Sequence, residues 1–318
     1  MSAALHILDR FDPRGGLVGV VGSMNADYTV DTARLPGPGE TVPGGPLRIL
    51  PGGKSGNQAA QAAKVGAEVR LFGALGRDDN AVFLRRCLAE AGVDTSAIHE
   101  VPGPSGTTII TVDEAGENTI VYSAGANAAL DLDWVDSIAD QLRALSVLGL
   151  CLESPLDVVT ACARIVHEAG GLVVLNDSPF LAQLPRELID VSDLLLVNEH
   201  EAGQLLGLTI TAETDFGDVA REMSAFGYDR SVITLGARGS VVIDSGEVVR
   251  IDPVAVSARD TTGCGDAFMG TILAGLAAGA SLEEAARLGT VTSAYAATRA
   301  GAQASYGTLE EVRGYFAN

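Results

Sequence analysis

Basic residues are scarce in this chain. Its 318 residues carry 21 Lys+Arg against 41 Asp+Glu, a formal net charge of -20. A surface this acidic repels a phosphate backbone, which excludes nucleic-acid binding by electrostatics and fits a soluble protein. Cysteine is scarce too. Cys87, Cys151, Cys162 and Cys264 are scattered, with no CxxC pair. That spacing supports neither a disulfide framework nor a zinc site, and it reads as reduced thiols in a cytosol. No apolar run approaches the ~18 residues needed to span a membrane. The N-terminal "MSAALHILDRFDPRGG" lacks both a basic start and a long apolar stretch, so no signal peptide is read there and a cytoplasmic location is expected. Internal repeats and low-complexity tails are absent.

Two nucleotide fingerprints are also missing. "PGGKSGNQAAQAA", residues 51–63, contains the GKS that closes a phosphate-binding P-loop. That loop requires a glycine five positions before the Gly-Lys, and Arg48 stands there. "GCGDAF" at 263–268 has the first two glycines of the dinucleotide motif, but Phe268 occupies the place of the third. "GVVGSMN" after the first apolar run does not supply it either, which argues against a Rossmann dehydrogenase.

What is present is an alternation. Apolar runs at "GGLVGVVGSMNAD", "EVRLFGALG", "ALSVLGLCLE", "GLVVLND" and "DLLLVNEHE" read as buried strands. Between them, "GNQAAQAAKVGA", "DDNAVFLRRCLAEAGV", "PLDVVTACARIVHEAG", "AGQLLG" and "TDFGDVAREMSAFGY" read as helices. "RSVITLGARGSVVID" reads as strand–turn–strand, and 264–301 as helical. The fold class expected is α/β in three layers: a mostly parallel central sheet covered on both faces. Two Gly- and Pro-rich β segments, about 27–53 and 105–123, interrupt the alternation and read as a small β-sheet lid on one domain spanning 1–318.

Two stretches carry chemistry. In "PGGKSGN", two glycines, Lys54 and the amide of Asn57 stand just before an Ala-rich helix, where something polar is expected to meet the backbone. In "ARDTTGCGDAFMG", Gly263 and Gly265 flank Cys264, and Asp266 opens an apolar helix. A helix N-terminus carries partial positive charge and free N–H groups, and small residues let an anion approach them. A carboxylate in the same turn can take a proton from a bound hydroxyl. Together these suit phosphoryl transfer to an alcohol. Taken alone, Asp266 reads equally well as a helix cap, whereas Lys54 reads better as a solvated lysine and Glu153 as an exposed acid at a strand end.

"GSMNAD", "GETV", "PGGKSGNQAAQAAKVGA", "LESPL", "VNEHEA", "TLGARG", "DTTGCGDAF" and "TRAGAQAS" run in the order seen in the ribokinase-like (PfkB) sugar kinases. The chain resembles that family over about residues 17–317. The resemblance implies an α/β core with a β lid and transfer of the ATP γ-phosphate to a sugar hydroxyl. It implies sugar contacts from Asn25, Asp27, Gly53, Lys54, Asn57 and Glu153. It makes Asp266 the general base and Gly263, Cys264 and Gly265 the anion hole. Relatives usually carry Ala where Cys264 stands, and a thiol at a helix N-terminus is expected to have a lowered pKa.

By the same resemblance, ATP lies across Thr234, Leu235, Gly236, Ala237, Arg238 and Gly239, with Gly265. Thr290 falls where relatives often carry Asn beside the adenine. Asn198 and Glu201 match the N-x-x-E pair that organises Mg²⁺ through waters. His200, between them, reads as structural or exposed. Asp260, Thr262, Ala296, Arg299, Gly301 and Ser305 match the ligands of a potassium ion. The activity so implied is phosphorylation of D-ribose at O5. The alternatives are deoxyribose, another pentose or a nucleoside, and, in a different class, a non-catalytic sugar sensor or a nucleotide-binding regulator. A homodimer that pairs two lids is expected, because the lid strands would otherwise leave apolar faces bare.

Overall fold

The computed structural model describes residues 6–317, so the first five residues of the N-terminal segment read above lie outside it. Nine strands form the main sheet. Their order in space is Glu247–Ile251, Ser240–Asp244, Arg230–Thr234, Leu194–Asn198, Leu172–Asn176, Val147–Leu150, Val18–Val21, Val69–Leu75 and Ile98–Glu100. All neighbours from Arg230–Thr234 to Ile98–Glu100 pair in parallel, and the first two pairings are antiparallel. Apolar residues alternate between faces: Val21 joins one buried cluster with Leu148, Leu150 and Trp134, while Val18 and Val20 join a second with Phe268 and Ile272. Both faces are therefore covered, and the expected three-layer α/β core is observed.

The small sheet has four strands, in the order Arg48–Gly52, Asn25–Asp31, Gly106–Val112, Asn118–Ser123. These match the two β segments expected as a lid, the first beginning two residues earlier, and the second segment folds as an antiparallel hairpin. Ile109, Ile120 and Val121 are exposed on this sheet. The chain passes from Val18–Val21 into Asn25–Asp31 through only three residues, so Asn25 and Asp27 lie at the root of the small sheet.

Three sequence expectations need correction. A helix unassigned from the sequence runs Leu132–Arg143, capped by Asp131, whose side chain accepts from Trp134 N; its buried Trp134, Val135, Ile138 and Leu142 form one stripe. "NEHE" is not the tail of a strand: the strand stops at Asn198, which caps the helix Glu199–Leu206. Asp266 does not cap its helix: Gly263 is the cap of Cys264–Ala277, and Asp266 sits in its first turn. Among the described residues, no helix is long and apolar enough to cross a membrane.

The site-bearing helices are Lys54–Lys64 and Cys264–Ala277. The first is short-chained and Ala-rich, a good intrinsic helix former. The second is buried from Ala267 to Gly275. They pack so closely that a Cβ on Gly270 would lie 2.3 Å from the Gln58 carbonyl oxygen. That approach brings the two N-terminal turns together.

Candidate active site

The parallel strands end toward the small sheet, and the polar residues gather at those ends, where α/β sheets form their crevices. Asn25 is buried and its Oδ1 accepts from Asn127 Nδ2 at 2.8 Å. Asp27 accepts from the Thr108 hydroxyl. Burial lifts its carboxyl to about 6, against the Thr108 bond, and the charges of Glu153 and Asp266 add to the rise. Glu153 accepts from the Ser23 hydroxyl and, at 3.2 Å, from the Lys54 backbone N–H. The Lys54 side chain is half-buried rather than a free surface lysine. Burial works against its charge, but Asp266 and Glu153 outweigh it and hold the ammonium above its ordinary value.

Asp266 joins this cluster from the other helix. Asn57 Nδ2 donates to its Oδ2 at 2.9 Å and Gln58 Nε2 to its Oδ1 at 3.3 Å. Burial is the largest influence and lifts the carboxyl to about 6, against Lys54 and the two amides. Gly263 turns the chain into the helix at a φ of 74°, a left-handed conformation that suits glycine. Its carbonyl accepts from the Tyr306 hydroxyl at 2.9 Å. Gly265 differs: a Cβ there would meet nothing within 4 Å, so its missing side chain leaves open space beside the helix N-terminus. The thiol of Cys264 corrects an expectation. Burial, then the carboxylates of Asp260 and Asp266, push it up to about 11.

On the far side of Gly265 opens a cleft of about 490 Å³. Thr234, Gly236, Ala237, Gly239, Gly265 and Thr290 line it, as expected from the sequence. Val254, Val256, Phe268 and Ser293 also line it and had no assignment. Leu235 sends its side chain into the core, and Arg238 pairs with Glu199. Asn198 aligns with Thr234 across adjacent strands, so the N-x-x-E turn stands beside the cleft's edge. Asp266 thus has the polar cluster on one side and, through Cys264 and Gly265, the cleft on the other.

The comparisons decide the family. Residues 16–309 match the model for the pfkB family of carbohydrate kinases. The chain belongs to the pfkB family of carbohydrate kinases. It is an ATP-dependent sugar kinase. It is 36% identical over 294 residues to the ribokinase of Haemophilus influenzae, covering 92% of this chain and 95% of that one. It is 29% identical over 299 residues to a deoxyribokinase of Salmonella typhi, covering 94% and 98%. The structure of Arabidopsis thaliana ribokinase complexed with ribose and ATP superposes with a TM-score of 0.87 at 30% identity, covering 94% and 97%.

In this kinase the residues expected at the metals are bound up in the fold. Asn198 Oδ1 accepts from the backbone N–H groups of His200 and Glu201, and Glu201 Oε2 accepts from Asn198 N at 2.9 Å, a reciprocal capping box. His200 itself is exposed. Asp260 ties two loops together: Oδ1 accepts from Thr262 N at 2.9 Å and Oδ2 from Gly301 N at 2.8 Å. Burial works against its charge, yet those donors hold its carboxyl below the usual range. Arg299 N donates to Ala296 O, and Ser305 Oγ to Ala302 O.

Gln58, Asn127 and Gln303 are buried polar residues at the site that had no sequence assignment, as are Ser23 and Thr108. Asn127 bonds the backbone of Met24 on both sides as well as Asn25. Gln303 Nε2 donates to Asn57 Oδ1 at 3.1 Å.

Proposed function

We propose that this sugar kinase phosphorylates D-ribose at O5. The observation that carries the reading is the position of Asp266, bonded to Asn57 in the polar cluster and next in the chain to Gly265, which opens onto the cleft. The sugar lies among Asn25, Asp27, Gly53, Lys54, Asn57 and Glu153, which offer amide, ammonium and carboxylate partners for several hydroxyls at once. ATP lies in the cleft, with its γ-phosphate at the N-terminus of Cys264–Ala277. Asp266 takes the proton of the primary hydroxyl as that oxygen attacks phosphorus, and the N–H groups of Gly263 and Gly265, with that of Cys264, which here donates to Thr261 O at 3.2 Å, stabilise the charge on the phosphoryl oxygens.

Glu201 suits a water-mediated role toward Mg²⁺ through Oε1, with Asn198 holding it in place, because the capping box engages Glu201 Oε2 and the single side-chain oxygen of Asn198. Mg²⁺ would neutralise the β- and γ-phosphates there. The loops at 260–262 and 296–305 would hold K⁺ through Asp260, Thr262, Ala296, Arg299, Gly301 and Ser305. Their tie through Asp260 suits a backbone-lined cage, and the ion would add positive charge behind the anion hole. The exposed Ile49, Ile109 and Val121, which the strand register puts on one face, favour a homodimer with two small sheets face to face. Charge and cysteine usage favour a cytoplasmic site of action. A non-catalytic sensor is disfavoured by the intact Asp266, Gly263 and Gly265.

The similarity to a deoxyribokinase favours a second reading, in which 2-deoxyribose is the preferred sugar. An ADP-release assay over pentoses, hexoses and nucleosides separates the two. Ribose is expected to give the highest kcat/KM, and a higher value for any other sugar rejects the assignment.

A further inference from the structure

Gln58 is fully buried, and its side chain makes one hydrogen bond among the described residues, to Asp266. Its Oε1 has no partner. Burying an amide with its carbonyl unsatisfied is unfavourable, so packing alone does not account for glutamine at this position. Gln303 is also buried, and its backbone carbonyl accepts from Lys64 Nζ at 3.2 Å, which holds the turn that carries it. Its Nε2 donates to Asn57 Oδ1. That bond fixes the direction of the Asn57 amide. With Oδ1 engaged, Asn57 must turn its NH₂ to Asp266; the flipped amide would set two acceptors against each other.

We propose that Gln58 and Gln303 are positioning residues for Asp266, one directly and one through Asn57, and that together they set which lone pairs of its carboxylate face the sugar hydroxyl. Each carboxylate oxygen receives one N–H donor from the protein side. The remaining lone pairs are left for the substrate. The donors also favour the ionised carboxylate, the form a base requires. The proposal rests on Asp266 being the base.

The test compares Gln58→Met and Gln303→Met, which keep length and remove the donor, using the panel sugar of highest kcat/KM. In each, kcat is expected to fall by about tenfold, and the acid limb of the pH profile to move up by ~1 unit. Gln58 touches Asp266 rather than the sugar, so its variant is expected to hold KM for the sugar within about twofold. In an Asp266→Asn background neither substitution is expected to lower the rate further. Unchanged kcat and an unmoved limb in both variants would overturn the proposal. A lower kcat with an unmoved limb overturns it too, since that marks a packing defect. If Gln58→Met does not fold, Gln303→Met decides alone. An Asp266→Asn enzyme that stays active rejects the base itself. An inactive one beside two normal Met variants rejects only the clamp.

Discussion

Asn57 and Asp266 stand 209 positions apart in sequence and share a hydrogen bond of 2.9 Å. That bond joins the first turn of Lys54–Lys64 to the first turn of Cys264–Ala277. It rests on the packing of two helices so close that Gly270 has no room for a side chain. The polar cluster and the turn at Gly263–Gly265 are therefore held in one register by the core, not by the loops.

The first expectation concerns the base. Asp266→Asn keeps size and packing but removes the proton acceptor. It should fold, bind the sugar, and lower kcat by ~10²–10⁴. Steady-state ADP release and a sugar-binding titration check this. Turnover above about a tenth of the parent would remove the role.

Acidity should move activity and stability in opposite directions. Burial lifts Asp27, Asp177 and Asp266 from 3.8 to about 6. A carboxyl whose folded pKa is raised stabilises the fold most below its unfolded pKa, and that contribution is lost as pH rises through about 6. The base, by contrast, works only when ionised. Lowering pH from about 7.5 to about 5.5 should therefore reduce kcat/KM while Tm holds or rises. The carboxyls held low by donors, such as Asp260 and Asp94, lose their contribution only in more acidic solution. A Tm that falls in step with activity across that window would contradict the assignment.

Two neighbouring glycines should respond differently to alanine. At Gly263 a Cβ would lie 2.6 Å from the Tyr306 hydroxyl, and the left-handed backbone costs a non-glycine ~1–2 kcal/mol. Gly263→Ala should lower Tm. Gly265→Ala meets no protein atom. It should keep Tm yet raise KM for ATP or lower kcat, because its methyl enters the space left for the phosphates. Thermal melts beside kinetics separate the cases, and a fully active Gly265→Ala enzyme would argue against an anion at that turn.

If K⁺ binds where the loops around Asp260 and Gly301 meet, exchanging Na⁺ for K⁺ at constant ionic strength should raise activity steeply. Equal rates in the two salts would remove that site.

Much of this was legible in the sequence, for identifiable reasons. Strand and helix periodicity gave the layers, and Lys54, Asn57 and Asp266 stand out because polar residues cluster with glycines at helix starts. Gln58 was not legible, because a glutamine in an Ala-rich helix reads as solvated until a second helix is packed against it, and Gln303 was not, because it stands in a three-residue turn whose burial only the fold creates. Asn127 hides in a Gly- and Ala-rich turn after the lid. Cys264 was misjudged because the sequence shows a helix terminus but neither the depth of burial nor the two carboxylates beside it.

Substrate choice follows from the same polar cluster. Asn25, Asp27, Lys54, Asn57 and Glu153 would surround a small polyol with donors and acceptors. A buried polar group left unpaired costs ~1–3 kcal/mol, so a sugar lacking one hydroxyl forfeits roughly 5- to 150-fold in kcat/KM. Ribose should therefore exceed 2-deoxyribose by at least roughly fivefold. Fructose 6-phosphate should be a poor substrate, because its phosphate needs free cations in the lid. The lid arginines are already matched there: Arg34 pairs with Glu40 and Arg48 with Asp31. That leaves Lys54, which already faces Asp266 and Glu153. A competition assay in which a hexose phosphate, a nucleoside or 2-deoxyribose outruns ribose would overturn the ribose assignment and leave the kinase chemistry of Asp266 standing.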